Sequence, residues 1–231
     1  MVSLQGFFIT GTDTGVGKSE VTAALAAALT VQGKTVYPRK PIESGCLPDH
    51  QGEQLFPQDG YQLQQASQSD DSLATITPYR FLDALSPERA AELSGTTITI
   101  PQLVEACSAP AKAPSVTLVE GAGGFYSPIA QGALNADLAV ALQHPVILVA
   151  QARLGVINQV LLARAAIQQQ GLSVAAIVLN QHSAEDYEGN LAGIRQRVTE
   201  PVITLPEITE PPAWSTLQAY ITPLIDALGL Q

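Results

Sequence analysis

Positive charge is scarce in this chain. Its 231 residues include four lysines (Lys18, Lys34, Lys40 and Lys112), and 11 Lys and Arg residues stand against 21 Asp and Glu residues, for a formal net charge of −10. A surface this acidic repels the phosphates of nucleic acids and of anionic membranes, so we expect neither as a partner and favour a small-molecule substrate. Because lysine is so rare, a lysine beside a Gly-rich or Pro-containing turn is a candidate functional residue.

Cysteine and histidine are also few. Cys46 and Cys107 are too far apart in sequence to indicate a disulfide framework or a zinc site, and His50, His144 and His182 are isolated from one another. The sequence contains neither a basic segment followed by an apolar signal core nor an apolar run of membrane length. We therefore expect a cytoplasmic protein in a reducing compartment, with no Ser/His or Cys/His catalytic pair.

The stretch from Phe7 to Ser19, FFITGTDTGVGKS, is the strongest motif. A short apolar strand leads into glycines that let backbone N–H groups approach a phosphate, and the start of the next helix adds its own unpaired N–H groups and dipole. In such a P-loop, Lys18 reaches the β- and γ-phosphates and the Ser19 hydroxyl binds Mg²⁺. The usual spacing would place the first glycine at Thr12, so this loop is a lengthened variant. A plain Gly-rich connection between a core strand and a helix is the alternative.

The rest of the chain alternates apolar, β-branched segments with helical ones, and its composition of 46% hydrophobic and 14% charged residues is typical of a well-buried domain. The pattern predicts strands over 7–10, 35–37, 116–119, 146–149, 174–179 and 202–205. It predicts helices over 19–30, 60–66, 101–107, 137–142, 156–169, 191–198 and 217–228, and a further helix that opens at Ser86. We therefore predict an α/β fold of the P-loop NTPase type, with a mostly parallel sheet, helices on both faces and one domain over 1–231. Ligands of such sheets bind beyond the carboxyl ends of the strands.

Five short segments carry a resemblance to a known family: GTDTGVGKS at 11–19, KPIESG at 40–45, VEGAGG at 119–124, GVIN at 155–158 and LN at 179–180. In order and spacing, from residue 7 to about residue 205, they resemble the dethiobiotin synthetases. That family makes the ureido ring of dethiobiotin from 7,8-diaminononanoate, CO₂ and MgATP in the biotin pathway, as a homodimer. The resemblance implies ATP as co-substrate, Mg²⁺ as the metal, and diaminononanoate with CO₂ or bicarbonate as substrates.

The resemblance also implies nucleotide and metal residues. The nucleotide residues are Asp13, Thr14, Gly15, Val16, Gly17, Lys18, Ser19 and Asn180, the last of which reads the adenine edge. The metal ligands are Ser19, Asp59 and Glu120. By residue type alone, Glu120 can either hold Mg²⁺ at the end of its strand or cap the Gly-rich turn. Asp59 could equally cap the helix that begins beside it, Asn180 could cap a turn, and Asp13 could simply form one.

In that family one amine captures CO₂ as a carbamate, ATP phosphorylates the carbamate, and the second amine closes the ring. Negative charge builds up on carbamate and γ-phosphoryl oxygens, so fixed cations are needed and a protein nucleophile is not. The resemblance implies Lys40 and Lys18 as these cations and Thr14 as a hydroxyl near phosphates and substrate. Ser44 then hydrogen-bonds the carbamate. As a residue type, Lys40 could also be a solvated surface charge.

The start of a predicted helix at 155–158 is a potential anion site because its N–H groups are free. The resemblance implies that Gly155, Val156, Ile157 and Asn158 bind the carboxylate tail of the substrate held by the other subunit of a two-fold dimer. An ordinary helix start is the alternative. One departure from the family pattern is Glu43, which is bulkier and more acidic than the small residue common at that place.

Three other functions compete. Partition-type ATPases use related loops, but their signature lysine would fall at position 13, where this chain has Asp13. Amide-forming synthetases usually bring a glutaminase domain, for which this chain has no room. A regulatory nucleotide-binding module would have no need of the turn from Lys40 to Ser44. The ring-forming ligase therefore explains the motifs best.

Overall fold

The structure, a computed structural model, describes residues 5–110, 115–181, 188–206 and 218–230. Lys112 and His182 lie outside these ranges. The strands in chain order are β1 (Gln5–Gly11), β2 (Thr35–Arg39), β3 (Ile42–Ser44), β4 (Leu47–Pro48), β5 (Leu55–Phe56), β6 (Tyr79–Phe81), β7 (Ser115–Gly124), β8 (Pro128–Ala130), β9 (Ala133–Leu134), β10 (Val146–Gln151), β11 (Val174–Asn180) and β12 (Val202–Leu205). The helices are α1 (Lys18–Val31), α2 (Gln58–Ser67), α3 (Leu73–Ile76), α4 (Pro87–Leu93), α5 (Ile100–Ala106), α6 (Asn135–Leu142), α7 (Val156–Gln169), α8 (Glu188–Arg195) and α9 (Gln218–Ala227).

Six strands form the central sheet, in the order β12-β11-β10-β1-β7-β2. Every neighbouring pair in it is parallel. All six predicted strands lie in this sheet, which confirms the predicted fold class. Because the strands are parallel, the loops that follow β1, β2 and β7 emerge side by side at one edge.

Alternating side chains of the same strands build two cores. Phe7 and Ile9 of β1 belong to a buried cluster that includes residues of α1, α2 and α9. Phe8, between them, belongs to a second cluster with residues of α4 to α8. Successive side chains of a strand point to opposite faces, so a strand that is apolar throughout is buried by helices on both sides.

The structure also differs from the sequence prediction. β7 was predicted to end at residue 119 and continues to Gly124, which pairs with Gly11 of β1. The short parallel pair β3–β6 was not predicted, since three-residue strands leave no periodic signal. α8 begins earlier than the predicted 191–198, and residue 217 of the predicted last helix lies outside the described ranges. The single-domain organisation stays a prediction.

No helix within the described ranges is both long and apolar enough to cross a lipid bilayer.

Candidate active site

The P-loop connects β1 to α1 and depends on two glycines with left-handed backbones. Gly15 has φ 72° and Gly17, the residue before α1, has φ 87°. A Cβ atom on Gly17 would in addition collide with the side-chain amide nitrogen of Asn180. Both conformation and space therefore require glycine at position 17.

Lys18 folds back over the loop and is nearly buried. Its Nζ donates a hydrogen bond to the backbone oxygen of Asp13 at 3.1 Å. Burial, followed by the nearby ammonium of Lys40, lowers the pKa of Lys18 to about 8. An anionic ligand in this loop would offset both effects, as expected for a lysine that binds phosphate.

Glu120 of β7 is fully buried and joins two of the predicted site residues. Its Oε1 accepts a hydrogen bond from the Ser19 hydroxyl at 2.7 Å and another from Lys40 Nζ at 2.6 Å. Its Oε2 is buried and has no hydrogen-bond partner within the described part of the chain. The carboxylate therefore contacts two site side chains and does not cap the Gly-rich segment.

Lys40 follows β2 and contacts a second carboxylate. Its Nζ lies 2.9 Å from Asp59 Oδ2 and 3.4 Å from the backbone oxygen of Gly121. Burial opposes the charged form of Lys40, but Asp59 and then Glu120 outweigh it and raise the pKa of Lys40. The same ammonium lowers the pKa of Asp59. Since only 4% of Lys40 is exposed, a solvated surface charge is ruled out.

Asp59 lies in the first turn of α2, close to where the sequence predicted it. The helix is preceded by Pro57, and no side chain at that N-cap position accepts a hydrogen bond. The carboxylate of Asp59 is directed at Lys40, so the helix-capping alternative is not observed.

These side chains line one cleft of about 300 Å³. The lining residues are Thr14, Gly15, Gly17, Lys18, Ser19, Glu20, Lys40, Glu43, Ser44, Asp59, Gln62, Glu120, Ala122 and Gly123. A neighbouring cavity of about 380 Å³ shares Thr14, Ser44, Ala122 and Gly123 with it. The Ser44 hydroxyl donates a hydrogen bond to the backbone oxygen of Leu85 at 2.7 Å.

The remaining predicted nucleotide residues surround the cleft without lining it. Asp13 accepts a hydrogen bond from the Thr14 backbone N–H at 2.8 Å and lies 3.6 Å from a guanidinium nitrogen of Arg153. Val16 is buried in the core beneath the loop. Asn180 is buried at the end of β11 and donates hydrogen bonds from Nδ2 to Glu20 at 2.6 Å and to the Val16 backbone oxygen at 3.4 Å.

The segment from Gly155 to Asn158 starts α7, as predicted. Gly155 has φ 89°, Val156 is buried and Asn158 is exposed. None of the four residues lines the cleft of their own chain. Their predicted role requires a substrate held by another subunit.

Two buried polar residues have contacts that the sequence did not predict: Glu43, which lines the cleft, and Asn135, which lies behind it. Asn135 accepts a hydrogen bond from the Ala122 N–H at 3.1 Å and donates to the oxygens of Ala122 and Gly124, which fixes the end of β7. Glu43 accepts two backbone N–H groups at the start of α2. Burial, with a contribution from Asp59, raises the pKa of Glu43. Asn135 lies outside every motif, and Glu43 was noted only as a departure within KPIESG at 40–45; neither residue type indicates by itself which backbone groups it binds.

Two comparisons place the chain among known sequences. A family profile described as an AAA domain matches residues 5–210. The ATP-dependent dethiobiotin synthetase BioD of Anaeromyxobacter dehalogenans (strain 2CP-1 / ATCC BAA-258) is 42% identical over 207 residues, covering 88% of this chain and 90% of that protein. Its counterpart of the same name in Xanthomonas campestris pv. campestris (strain 8004) is 39% identical over 202 residues, covering 87% of this chain and 89% of that protein.

Solved structures share the fold at low sequence identity. The septum site-determining protein MinD from Pyrococcus horikoshii OT3, complexed with Mg-ADP, has a TM-score of 0.59 at 14% identity and covers 99% of this chain and 92% of its own. The MinC:MinD cell division protein complex of Aquifex aeolicus has a TM-score of 0.59 at 12% identity, covering 98% of this chain and 96% of its own. At such identities the likeness shows the fold alone.

Proposed function

The chain belongs to the family of ATP-dependent dethiobiotin synthetases, and we propose that its ring-forming reaction takes place in the cleft around Lys18, Lys40 and Glu120. The reaction converts 7,8-diaminononanoate, CO₂ and ATP into dethiobiotin, ADP and phosphate. The observation that carries this placement is the convergence of two buried lysines, two carboxylates and the P-loop serine in one cleft. A partition-type regulatory ATPase or an amide-forming synthetase is not favoured.

The chemistry proceeds in three balanced steps. One amine nitrogen attacks CO₂ and loses a proton, giving a carbamate. A carbamate oxygen then attacks the γ-phosphorus of ATP and ADP leaves, giving the mixed carbamic–phosphoric anhydride. Finally the second amine attacks the carbonyl carbon, a proton is lost and phosphate leaves, which closes the ureido ring.

Two ammonium groups of the chain stabilise the charge that these steps develop. We assign Lys18 to the β- and γ-phosphates, because it lies in the P-loop at the start of α1. Lys40 is assigned to the carbamate and the transferred phosphoryl group, together with Ser44 and Thr14, which line the same cleft. Fixed cations in a site shielded from water are worth far more than the same charges in solution.

The residues present fit a magnesium ion. Ser19, Asp59 and Glu120 offer only oxygen atoms, the ligand type Mg²⁺ prefers, and Glu120 Oε2 is a buried oxygen without a partner in the described ranges. No group of three or more His, Cys, Asp or Glu side chains that could hold a metal ion by itself occurs in those ranges, so the ion would complete its shell with water and phosphate oxygens. When bound, the ion would neutralise charge on the phosphates, and Ser19, Asp59 and Glu120 would hold it.

Nucleotide binding is assigned to the backbone from Asp13 to Ser19, with Asn180 at the adenine edge. The Asn180 side-chain amide also donates a hydrogen bond to the Val16 backbone oxygen of the P-loop. The same residue would therefore contact the adenine base and support the loop that binds the phosphates. A reaction that consumes ATP also favours the cytoplasm as the location of the protein.

We further assign the carboxylate of diaminononanoate to residues 155–158 of a second subunit. Two features support this: the four residues begin a 14-residue helix, whose first N–H groups attract anions, and they lie outside the cleft of their own chain. A C₂ homodimer would then complete each site with a segment from its partner.

The proposed function is tested directly with purified protein, diaminononanoate, ¹³C-bicarbonate and MgATP. We expect dethiobiotin that carries one ¹³C atom by mass spectrometry, with one ADP formed per ring. ADP formation that does not depend on the diamine, without labelled product, would contradict the proposal and favour a regulatory ATPase.

A further inference from the structure

The start of α2 is held by a side chain from another element. The first N–H groups of a helix have no partner within the helix. Here the Asp59 N–H donates to Glu43 Oε1 at 3.0 Å and the Gly60 N–H donates to Glu43 Oε2 at 3.1 Å. Glu43 lies on β3 and is 6% exposed, so each of its two oxygens binds one backbone group away from water.

Asp59 is itself one of the two residues whose N–H groups Glu43 binds. No side chain caps the helix at Pro57, which leaves Glu43 to satisfy the first turn. A Cβ atom on Gly60 would collide with the side chain of Thr77, so α2 is closely packed at this point. Asp59 extends from that same turn to within 2.9 Å of Lys40 Nζ.

β3 also pairs with the short strand β6. Glu43 is in register with Arg80 of β6. The Arg80 guanidinium donates to the backbone oxygens of Thr77 at 2.8 Å and Leu55 at 3.1 Å. The four-residue segment from Lys40 to Glu43 thus carries both the ammonium that binds Asp59 and the carboxylate that binds the first turn of α2.

We propose that Glu43 is a positioning residue that holds Asp59 in place to bind the magnesium ion of the nucleotide complex. The inference rests on the proposed metal role of Asp59. A carboxylate suits the task because both oxygens accept hydrogen bonds, whereas Gln would turn an NH₂ group towards one of the two N–H groups. Asp has the right charge but is one methylene too short.

Two simpler roles make different predictions. If Glu43 contributes only its charge, Glu43→Asp should behave like the wild type and Glu43→Gln should not. If Glu43 only stabilises α2, both variants should melt earlier and bind metal normally. Positioning predicts that both variants bind metal more weakly, and that the effect operates through Asp59.

The test uses Glu43→Gln and Glu43→Asp, with Glu88→Gln as the matched control. Glu88 also accepts a backbone N–H, that of Gly132 at 2.6 Å, but it does not line the cleft. Hydrogen exchange in the metal-free protein measures how strongly the Asp59 and Gly60 amide N–H groups are protected. Titration with Mn²⁺, followed by electron paramagnetic resonance with an unreactive ATP analogue present, reports metal affinity.

We expect both Glu43 variants to exchange these amides at least about tenfold faster and to bind Mn²⁺ about tenfold more weakly, with Glu88→Gln unchanged. In an Asp59→Asn background, Glu43→Asp should alter Mn²⁺ affinity by less than about twofold, because coupled residues are not additive. Normal Mn²⁺ affinity in Glu43→Asp, or a full tenfold loss in the Asp59→Asn background, would overturn the inference. Glu43→Asp keeps the test valid if Glu43→Gln does not fold.

Assay of the wild type separates this inference from the proposed function. A wild type that binds Mn²⁺ with the expected variant effects but makes no dethiobiotin would overturn the proposed function alone. A wild type that makes dethiobiotin while both Glu43 variants bind Mn²⁺ normally would overturn the inference alone. A wild type that binds no Mn²⁺ would overturn the inference together with the metal assignment.

Discussion

Glu120 and Lys40 form a buried ion pair, with a carboxylate oxygen 2.6 Å from the ammonium nitrogen and side chains that are 0% and 5% exposed. The two residues come from β7 and from the segment after the neighbouring strand β2. Because both side chains are buried from water, each charge is compensated by the other. The pair therefore affects both the stability of the free protein and the charge available for catalysis.

The stability of the metal-free protein should depend on the ion pair between Lys40 and Glu120. Lys40→Met leaves the carboxylate of Glu120 buried without its cation, which we expect to lower the free energy of unfolding by about 3–5 kcal/mol. Denaturant unfolding in the presence of EDTA measures the change. Lys34→Met, at the opposite end of β2, is the control and should cost less than about 1 kcal/mol. Adding Glu120→Gln to Lys40→Met should recover part of the loss; no recovery would mean that the pair is not the cause.

Turnover should fall in the same Lys40→Met variant for a separate reason. Its cation is assigned to the carbamate and the transferred phosphoryl group, whereas the P-loop stays intact. We expect turnover to decrease about 10²-fold or more while ATP affinity by calorimetry changes little. Impaired ATP binding with normal turnover at saturation would contradict the assignment.

The metal dependence of Glu120→Gln tests the proposed ligand. Gln keeps the shape of the side chain and can still accept the Ser19 hydrogen bond, but it removes the negative charge. The Mg²⁺ concentration that gives half-maximal activity should therefore rise about tenfold or more. An unaltered Mg²⁺ requirement would show that Glu120 only anchors Ser19 and Lys40.

Substituting two glycines with similar backbone conformations separates the effect of P-loop geometry on ATP binding from the effect of backbone strain on stability. Gly17 has φ 87° and no room for a Cβ atom beside Asn180, whereas Gly33 has φ 80° and open space around it. Gly33→Ala should cost about 1–2 kcal/mol of stability and leave ATP affinity unchanged. Gly17→Ala should lower the affinity for ATP, measured by calorimetry, at least about a hundredfold. Equal effects of the two variants on ATP affinity would argue against a close fit of the loop to the nucleotide.

The shared-site dimer can be tested by complementation. Lys18→Ala damages the phosphate side of a site, and Asn158→Asp places a negative charge where the substrate carboxylate would bind. Refolded together at equal ratio, the two inactive variants should form about half mixed dimers, each with one intact site, and about a quarter of wild-type activity should return. If both residues serve the site of their own chain, mixing restores nothing.

Prediction from sequence succeeded where the pattern is periodic or the motif is long. The strands of the sheet and the P-loop around Lys18 are of this kind. The contacts of Glu43 and Asn135 were missed because they join residues distant in sequence through single side chains. Lys40 was predicted as a site residue from its motif, but its burial between two carboxylates depends on the register of β2 with β7, which no local pattern encodes.

The place of β7 between β1 and β2 has a consequence for how such chains can change. Neighbouring strands lie about 4.8 Å apart, so the loops after β1 and β2 start roughly 10 Å from each other. That spacing separates the nucleotide loop from Lys40, and it comes from the backbone ladder of the sheet. The segment between β3 and α2 can therefore gain or lose residues without altering the distance between Lys18 and Lys40, provided that Glu43 still reaches the first turn of α2.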